Sequence, residues 1–516
     1  MRFRGVDAMS SAGRDSAIGS RCLCRTRLRG WNSDFGPPRR VRTAGTRSLL
    51  VFLSPILLTL MIRWLAPSSA IAIVALVASG CGSPEPEPLA FEPNLVHTMK
   101  YEVAQDVPMQ QASEDAYWIV DRMFGTPEEP QLPAVLAEDE DYADIVSMQN
   151  LHRASGPIDA EGRGLYAKHC AKCHAVTGSG RGEIAAIQTP YPRDYRPGMF
   201  KFKTTPRGVK PTKADLAKLL RHGIGGTAMN PIPELTDEDI DALVDYVIYL
   251  SMRGEVERQT VDGAMFDGII EDGGRILNTS LRQRIESDEA YVESMDALAD
   301  ADELTDQQEE QLEAYEMNLE NWEYAEDYVV DVADSWLEAD EDVLEVPPPP
   351  TTLPLAENAD DVRRFRGGPE AVAFNESVHR GRELYLGKLA SCSKCHGDQG
   401  LGNGQVTDYD DWTKDWTSRV NLDPKKRDQL VPLLARGALE PKNIIPRNFT
   451  QGIFRGGKAS EELYRRIVQG VDGTPMPAAT FVDSQFEEED VWHLINFIRT
   501  LEVTGEEEAA TVGEGV

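Results

Sequence analysis

Cysteine is scarce in this chain, and where it is missing narrows the chemistry. Seven occur in 516 residues, at 22, 24, 81, 170, 173, 392 and 395. Past residue 81 every one belongs to one of two pentapeptides, Cys170-Ala-Lys-Cys-His174 and Cys392-Ser-Lys-Cys-His396. No thiol remains downstream for a disulfide or a nucleophile, and neither C-x-x-C has the second Cys or His pair that a zinc site needs. Positive charge is scarce too, with 53 Lys and Arg against 86 Asp and Glu. Residues 1–80 carry 12 of the basic and 3 of the acidic residues, so the remainder has 41 against 83, a net charge near −42. Such a surface repels phosphate and excludes nucleic acid as a partner. Long apolar runs are absent: Leu49–Ile62 and Ala70–Ala78 are separated by Arg63 and Pro67, and neither reaches the roughly 18 residues that span a bilayer.

The two pentapeptides are C-x-x-C-H, the attachment sequence of c-type haem: both thiols add to the vinyl groups and the adjacent His becomes the proximal iron ligand. At the frequencies of Cys and His here, chance gives roughly 0.0015 matches per chain. There are two. Cys170, Cys173, His174, Cys392, Cys395 and His396 are therefore the expected sites of two covalently bound haems c.

Covalent haem attachment occurs outside the bacterial cytoplasm, which requires an export signal. The stretch from Met61 supplies one, with Arg63, an apolar run from Ala70 to Ala78, and small residues before Cys81. It resembles a bacterial lipoprotein signal with Ala78-Ser79-Gly80-Cys81 as lipobox, although Leu is more usual at position 78. On this reading Met61 is the true start, 1–60 lie upstream of it, 61–80 are the signal peptide, and Cys81 is the lipid anchor of an extracytoplasmic, periplasmic protein. Residues 81–155 open with a Pro/Glu spacer and read as a tether or arm, with one short helix over 113–124.

The rest of the chain repeats itself. Gly-Arg-Gly-Leu-Tyr166 precedes the first motif and Gly-Arg-Glu-Leu-Tyr385 the second; Gly178, Gly180 and Gly182 follow His174 at the spacing with which Gly400, Gly402 and Gly404 follow His396. Pro192–Lys201 aligns with Pro446–Arg455, and a further match superposes Met229 on Met476. Each copy closes with an amphipathic helix, expected to be capped by Thr236 and Asp239 in the first and by Ser484 and Glu487 in the second. Between the copies, residues 255–345 hold 30 Asp and Glu, 4 Arg and no Lys. Their aromatics recur at helical intervals, which favours a pair of acidic helices, and Pro347–Pro350 form a stiff hinge. The second copy has 32 extra residues between its His and Pro446, containing Trp412, Trp416 and Lys425-Lys426-Arg427; the candidate roles are a cover for the haem edge, a docking site for a partner or, the favoured reading, a decorated surface loop.

These features resemble class I cytochrome c, over roughly 156–254 and 370–505. The resemblance implies a mainly α fold: two class I cytochrome c-like helical domains, 156–254 and 361–505, separated by an acidic helical insert and hinge over 255–360 and followed by an acidic tail, 506–516. It implies His174 and His396 as proximal ligands and Met229 and Met476 as distal ones, with Gly162 and Tyr166 against Tyr246, and Gly381 and Tyr385 against Phe497. In that family a proline carbonyl receives the proximal His N–H, which nominates Pro190 or Pro192 and, in the second copy, Pro446. Arg193, Lys201, Arg447 and Arg455 are candidates for neutralising haem propionates.

An iron with both axial positions filled by protein is confined to one-electron chemistry. The expectation is a membrane-tethered dihaem cytochrome c carrying single electrons between a redox-protein donor and acceptor, a terminal oxidase among the candidates. The enzyme alternative is a dihaem peroxidase or sulfur-compound dehydrogenase, which needs an open or displaceable distal side. A third reading makes the acidic insert the main functional surface, with the haems as relay.

Overall fold

The computed structural model describes residues 89–513 apart from 160–161, 271–273 and 406. The leader, the lipobox and Cys81 lie outside them. The described residues form helices and turns with no β-strand, only three isolated bridges.

Thr236 and Asp239 start the first closing helix as expected. The Thr236 hydroxyl accepts from the Asp239 N–H at 3.2 Å, and the Asp239 carboxylate accepts from the Thr236 N–H at 3.0 Å. The helix does not stop at the expected domain boundary, however; it runs from Asp237 to Phe266. Ile240, Leu243, Val244, Tyr246, Val247 and Leu250 are buried, and so are Val256, Val261 and Ala264 beyond position 254. This second apolar stretch is covered by the acidic segment, which forms three helices rather than two, Thr279–Ser287, Glu289–Ala299 and Asp306–Leu337. Trp322, Ala325, Val329, Val332, Ala333 and Trp336 share one buried face of the last, at spacings of three and four, and send the carboxylates outward.

Residues 91–155 are not a loose arm either. Helices Leu95–Gln105, Gln110–Phe124 and Met148–Ala154 pack on the same long helix, and Met109, Ile119, Phe124 and Leu151 are completely buried. At about 1.5–3 kcal/mol for each buried side chain of this size, these four alone commit the segment to the core.

In the second copy, helix Ala371–Leu386 crosses the closing helix Asp490–Gly513. Gly381 makes the crossing possible: a Cβ there would fall 2.0 Å from the His493 carbonyl oxygen. The first copy departs from this, since a Cβ on Gly162 would meet nothing within 4 Å among the described residues and its helix begins only at Leu165. The closing helix also begins later than its sequence suggests, at Asp490; Ser484 adopts φ 61° and lies in the preceding bridge turn.

The two copies meet through equivalent segments in a reciprocal exchange. Met199 of the first faces Gly473 of the second, and Ile453, which aligns with Met199, faces Gly226, which aligns with Gly473; a Cβ on either glycine would lie 3.0 Å from the opposing side chain. Lys203 pairs with Asp472 at 2.9 Å, Arg207 donates to the Met476 and Thr474 carbonyls at 3.3 Å, and Arg455 donates to the Gly226 carbonyl at 3.2 Å.

The 32-residue insertion is the other bond between the halves. Its helices Asp411–Asp415 and Arg427–Ala435 bring Trp416, Leu422, Leu430 and Leu433 into the core of the first half. Asp415 enters a buried cationic pocket there. Its carboxylate receives both terminal nitrogens of Arg258 at 3.1 Å, with Lys100 at 3.6 Å and His97 at 3.7 Å.

Candidate haem sites

Each C-x-x-C-H forms one short helical turn, Ala171–His174 and Ser393–His396, and the glycines behind it fold the chain back onto that turn. Gly180 and Gly402 donate N–H to the carbonyls of His174 and His396 at 3.0 and 2.8 Å, and Gly182 and Gly404 to those of Cys173 and Cys395 at 3.0 and 3.2 Å. Gly180 and Gly402 both need a left-handed backbone, φ 68° and 71°, which glycine adopts without strain.

His174 Nδ1 donates to the Arg193 carbonyl at 2.9 Å, and His396 Nδ1 to the Arg447 carbonyl at 3.0 Å. The acceptors are thus one residue beyond Pro192 and Pro446, and the proline carbonyls are not used. A carbonyl can only accept, so Nδ1 carries the proton and the Nε2 lone pair is left for a metal. Burial holds the rings neutral, lowering His174 to about 4 and His396 in the same direction. Each imidazole stacks on an aromatic the sequence comparison aligned but did not single out: Tyr195 at 4.8 Å and 17°, and Phe449 at 4.4 Å and 19°. Tyr166 packs on Tyr246 with ring centroids 5.0 Å apart, and Tyr385 on Phe497 at 5.0 Å. Both tyrosine hydroxyls donate to the carbonyl that follows the motif, Ala175 at 3.0 Å and Gly397 at 2.8 Å.

Burial pushes the Cys170 thiol up to about 12 and Cys392 to about 11. Among the described residues no three His, Cys, Asp or Glu are grouped to hold a metal ion.

Met229 and Met476 close identical loops. Thr227 and Thr474 accept from the Met229 and Met476 N–H at 3.1 and 3.2 Å, and the methionine carbonyls accept from Ile224 and Val471 at 2.7 and 3.2 Å. Both side chains are half-buried, and Met476 lines one cavity with Cys392, Cys395 and His396.

That cavity, about 860 Å³, is large enough for a prosthetic group and mostly apolar around Phe454, Leu463, Ile467, Phe486, Leu494 and Ile498. Its lining also includes all four cations noted in the sequence, Arg193 and Lys201 from the first half and Arg447 and Arg455 from the second. Burial lowers Arg193 and Arg455 to about 10 and Lys201 to about 7, because their charges face little water. An apolar cavity whose lining combines a ligating nitrogen, two thiols and desolvated cations fits a flat macrocycle bearing carboxylates. Trp412 belongs to the same lining, with the Arg193 guanidinium 3.4 Å from its ring centroid.

Residues 158–247 match the family described as cytochrome c oxidase, cbb3-type, subunit III, and residues 378–502 match the cytochrome c family. No curated protein matches the chain. Among solved structures, a chain of the Kuenenia stuttgartiensis reducing HAO-like protein complex is 21% identical, covering 67% of this chain and 97% of its own, with a TM-score of 0.34. The first half and the second each carry their own family match over the segment that holds the motif, the stacked histidine and the closing helix, so the chain is a tandem cytochrome c protein, mainly α, that binds two covalent haems c and transfers electrons.

Proposed function

We propose that this chain is a membrane-tethered dihaem cytochrome that carries single electrons between extracytoplasmic redox proteins. Cys170, Cys173 and His174 hold one haem and Cys392, Cys395 and His396 the other; Met229 and Met476 supply the sixth ligands. Haem c contributes a one-electron Fe(III)/Fe(II) couple, and a soft, neutral thioether raises its potential. The observation that carries the reading is the duplicated geometry: both histidines present a neutral ring with Nδ1 fixed by a carbonyl, and both methionines close the same loop. The protein's part is to fix each ring, exclude water from each slot and neutralise carboxylates with desolvated cations.

The match of the first half to a cbb3-type oxidase subunit family supports a terminal oxidase as acceptor. The excess of carboxylates favours partners with a basic docking face, whose association must slow as salt rises. Cys81 is the lipid anchor in this reading; among the described residues no helix is long and apolar enough to cross a membrane. Absorption and EPR spectra of the oxidised holoprotein test the assignment. Two low-spin haems with the methionine-to-iron band are expected; one high-spin haem with hydrogen peroxide turnover would overturn it in favour of the enzyme alternative. Cys81→Ser should release the protein from membranes, and a variant that stays membrane-bound would refute the anchor.

A further inference from the structure

Arg193 belongs to both haem sites. Its main-chain carbonyl accepts from His174 at the first, and its guanidinium reaches into the cavity that His396 lines at the second. Between the two stands Trp412, which the second copy's insertion supplies and the first copy lacks. The indole is held on both sides of one peptide: its face carries the Arg193 guanidinium at 3.4 Å, and its Nε1 donates to the Asp194 carbonyl at 3.0 Å. Lys201 approaches the same ring at 5.1 Å. The ring also packs on Gly473 beside Met199, and its two bonds tie it to the segment that orients the first proximal histidine and lines the second cavity.

We propose that the Arg193–Trp412 contact couples the two haem sites, setting the potentials of both and the rate of electron exchange between them. The inference rests on the dihaem electron-transfer reading. In the exchange one electron leaves one iron and reduces the other, no bond forms or breaks, and no proton moves; redox proteins on either side supply and remove the electron. From His174 the route crosses one hydrogen bond, follows the covalent frame of Arg193, and makes a single through-space step onto the indole. Electronic coupling falls steeply with each through-space gap; the indole itself lines the cavity of His396, so one further gap, from the ring into that site, completes the route. The Arg193 charge, poorly screened by water, also favours the ferrous state at both irons.

The test uses the full holoprotein in three variants, Arg193→Gln, Trp412→Leu and Trp412→Phe, with haem-resolved redox titration and flash-initiated electron transfer between the haems. Arg193→Gln keeps the carbonyl to His174 and removes the charge. A unit charge acting across about 12 Å at an effective dielectric near 20 would change a ferric-to-ferrous ratio about tenfold, equivalent to about 59 mV for one electron, so both potentials should fall by an amount of this order. Trp412→Leu should slow the inter-haem phase and move the first haem's potential, while Trp412→Phe, which keeps an aromatic face, should restore most of the rate. The proposal is overturned if Trp412→Leu retains two low-spin haems with the wild-type inter-haem rate and first-haem potential. It is equally overturned if all three variants lose haem alike, since the contact would then be structural alone. A high-spin haem in the unsubstituted protein would instead refute the underlying function, and would be visible before any variant is made.

Discussion

Replacing Asp415 by Ala should detach the insertion from the first half and cost the folded protein about 3 kcal/mol, the lower part of the range for breaking a buried ion pair. The carboxylate makes a two-pronged bond to Arg258 at 3.1 Å on each side, and the two side chains are 18% and 16% exposed. At an effective dielectric near 20, a pair at about 4 Å attracts by roughly 4 kcal/mol; desolvation of both ions offsets part of that. The larger loss comes from what remains, because buried Arg258 would lose its two-pronged partner and Lys100 would keep only the half-exposed Asp262 at 3.9 Å. Burial on its own would raise the Asp415 pKa, but Arg258, then His97 and Lys100, outweigh it and hold the group well below the ordinary carboxylate range. A depressed carboxylate stabilises the fold above its unfolded value, about pH 4, and that contribution is lost as pH falls toward the folded value. Urea denaturation at neutral pH gives the loss. Amide hydrogen exchange should show it concentrated in helices 95–105 and 427–435, which pack on each other. A loss below about 1 kcal/mol, the level of an exposed pair, or uniform deprotection of the chain, would refute the reasoning. The paired replacement Arg258→Met with Asp415→Leu should recover part of the stability, because Arg258 is no longer stranded and Lys100 retains Asp262.

Gly381→Ala places a Cβ 2.0 Å from a main-chain oxygen of the closing helix, so the crossing must open; a loss above about 3 kcal/mol is expected, in the range kept for severe steric damage, and a thermal midpoint within a degree of wild type would contradict it. Gly162→Ala, at the aligned position, meets no neighbour, and its cost is confined to the left-handed backbone at φ 91°, about 1–2 kcal/mol on the same assay. Met476→His exchanges a soft thioether for a harder imidazole and should lower the potential of the second haem; an unchanged titration would remove Met476 from the ligand set.

The parts of this molecule legible in its sequence are those where covalent chemistry or local geometry leaves few choices. The haem motifs fix two thiols and an imidazole within five residues, the glycine triplets must pass over that turn, and the Thr236–Asp239 cap is satisfied within four residues. What the sequence hid depends on distant partners or on groups without a side-chain signature. The acceptors for His174 and His396 are main-chain oxygens of Arg193 and Arg447, and any residue has such an oxygen, so the adjacent prolines drew attention instead. Helices 95–105 and 148–154 are short and polar enough to look like an arm until the long closing helix offers them a surface. That helix carries apolar residues past position 254 because the acidic segment lies on it, a pairing invisible in either stretch alone. Trp412 and Asp415 looked like decoration on a loop; their roles exist only against Arg193 and Arg258, more than 150 residues away.

The exchange of Met199 against Gly473 and of Ile453 against Gly226 has a thermodynamic corollary. Each methionine loop meets a side chain of the other copy, and the second loop meets Trp412 of its own copy as well. Any event that loosens one loop weakens the shared seam and so lowers the free energy needed to loosen the other, and by linkage the effect is equal in both directions. The two loops therefore form a pair of mutually dependent latches, in which displacement at either site is transmitted to its counterpart without any ligand passing between them.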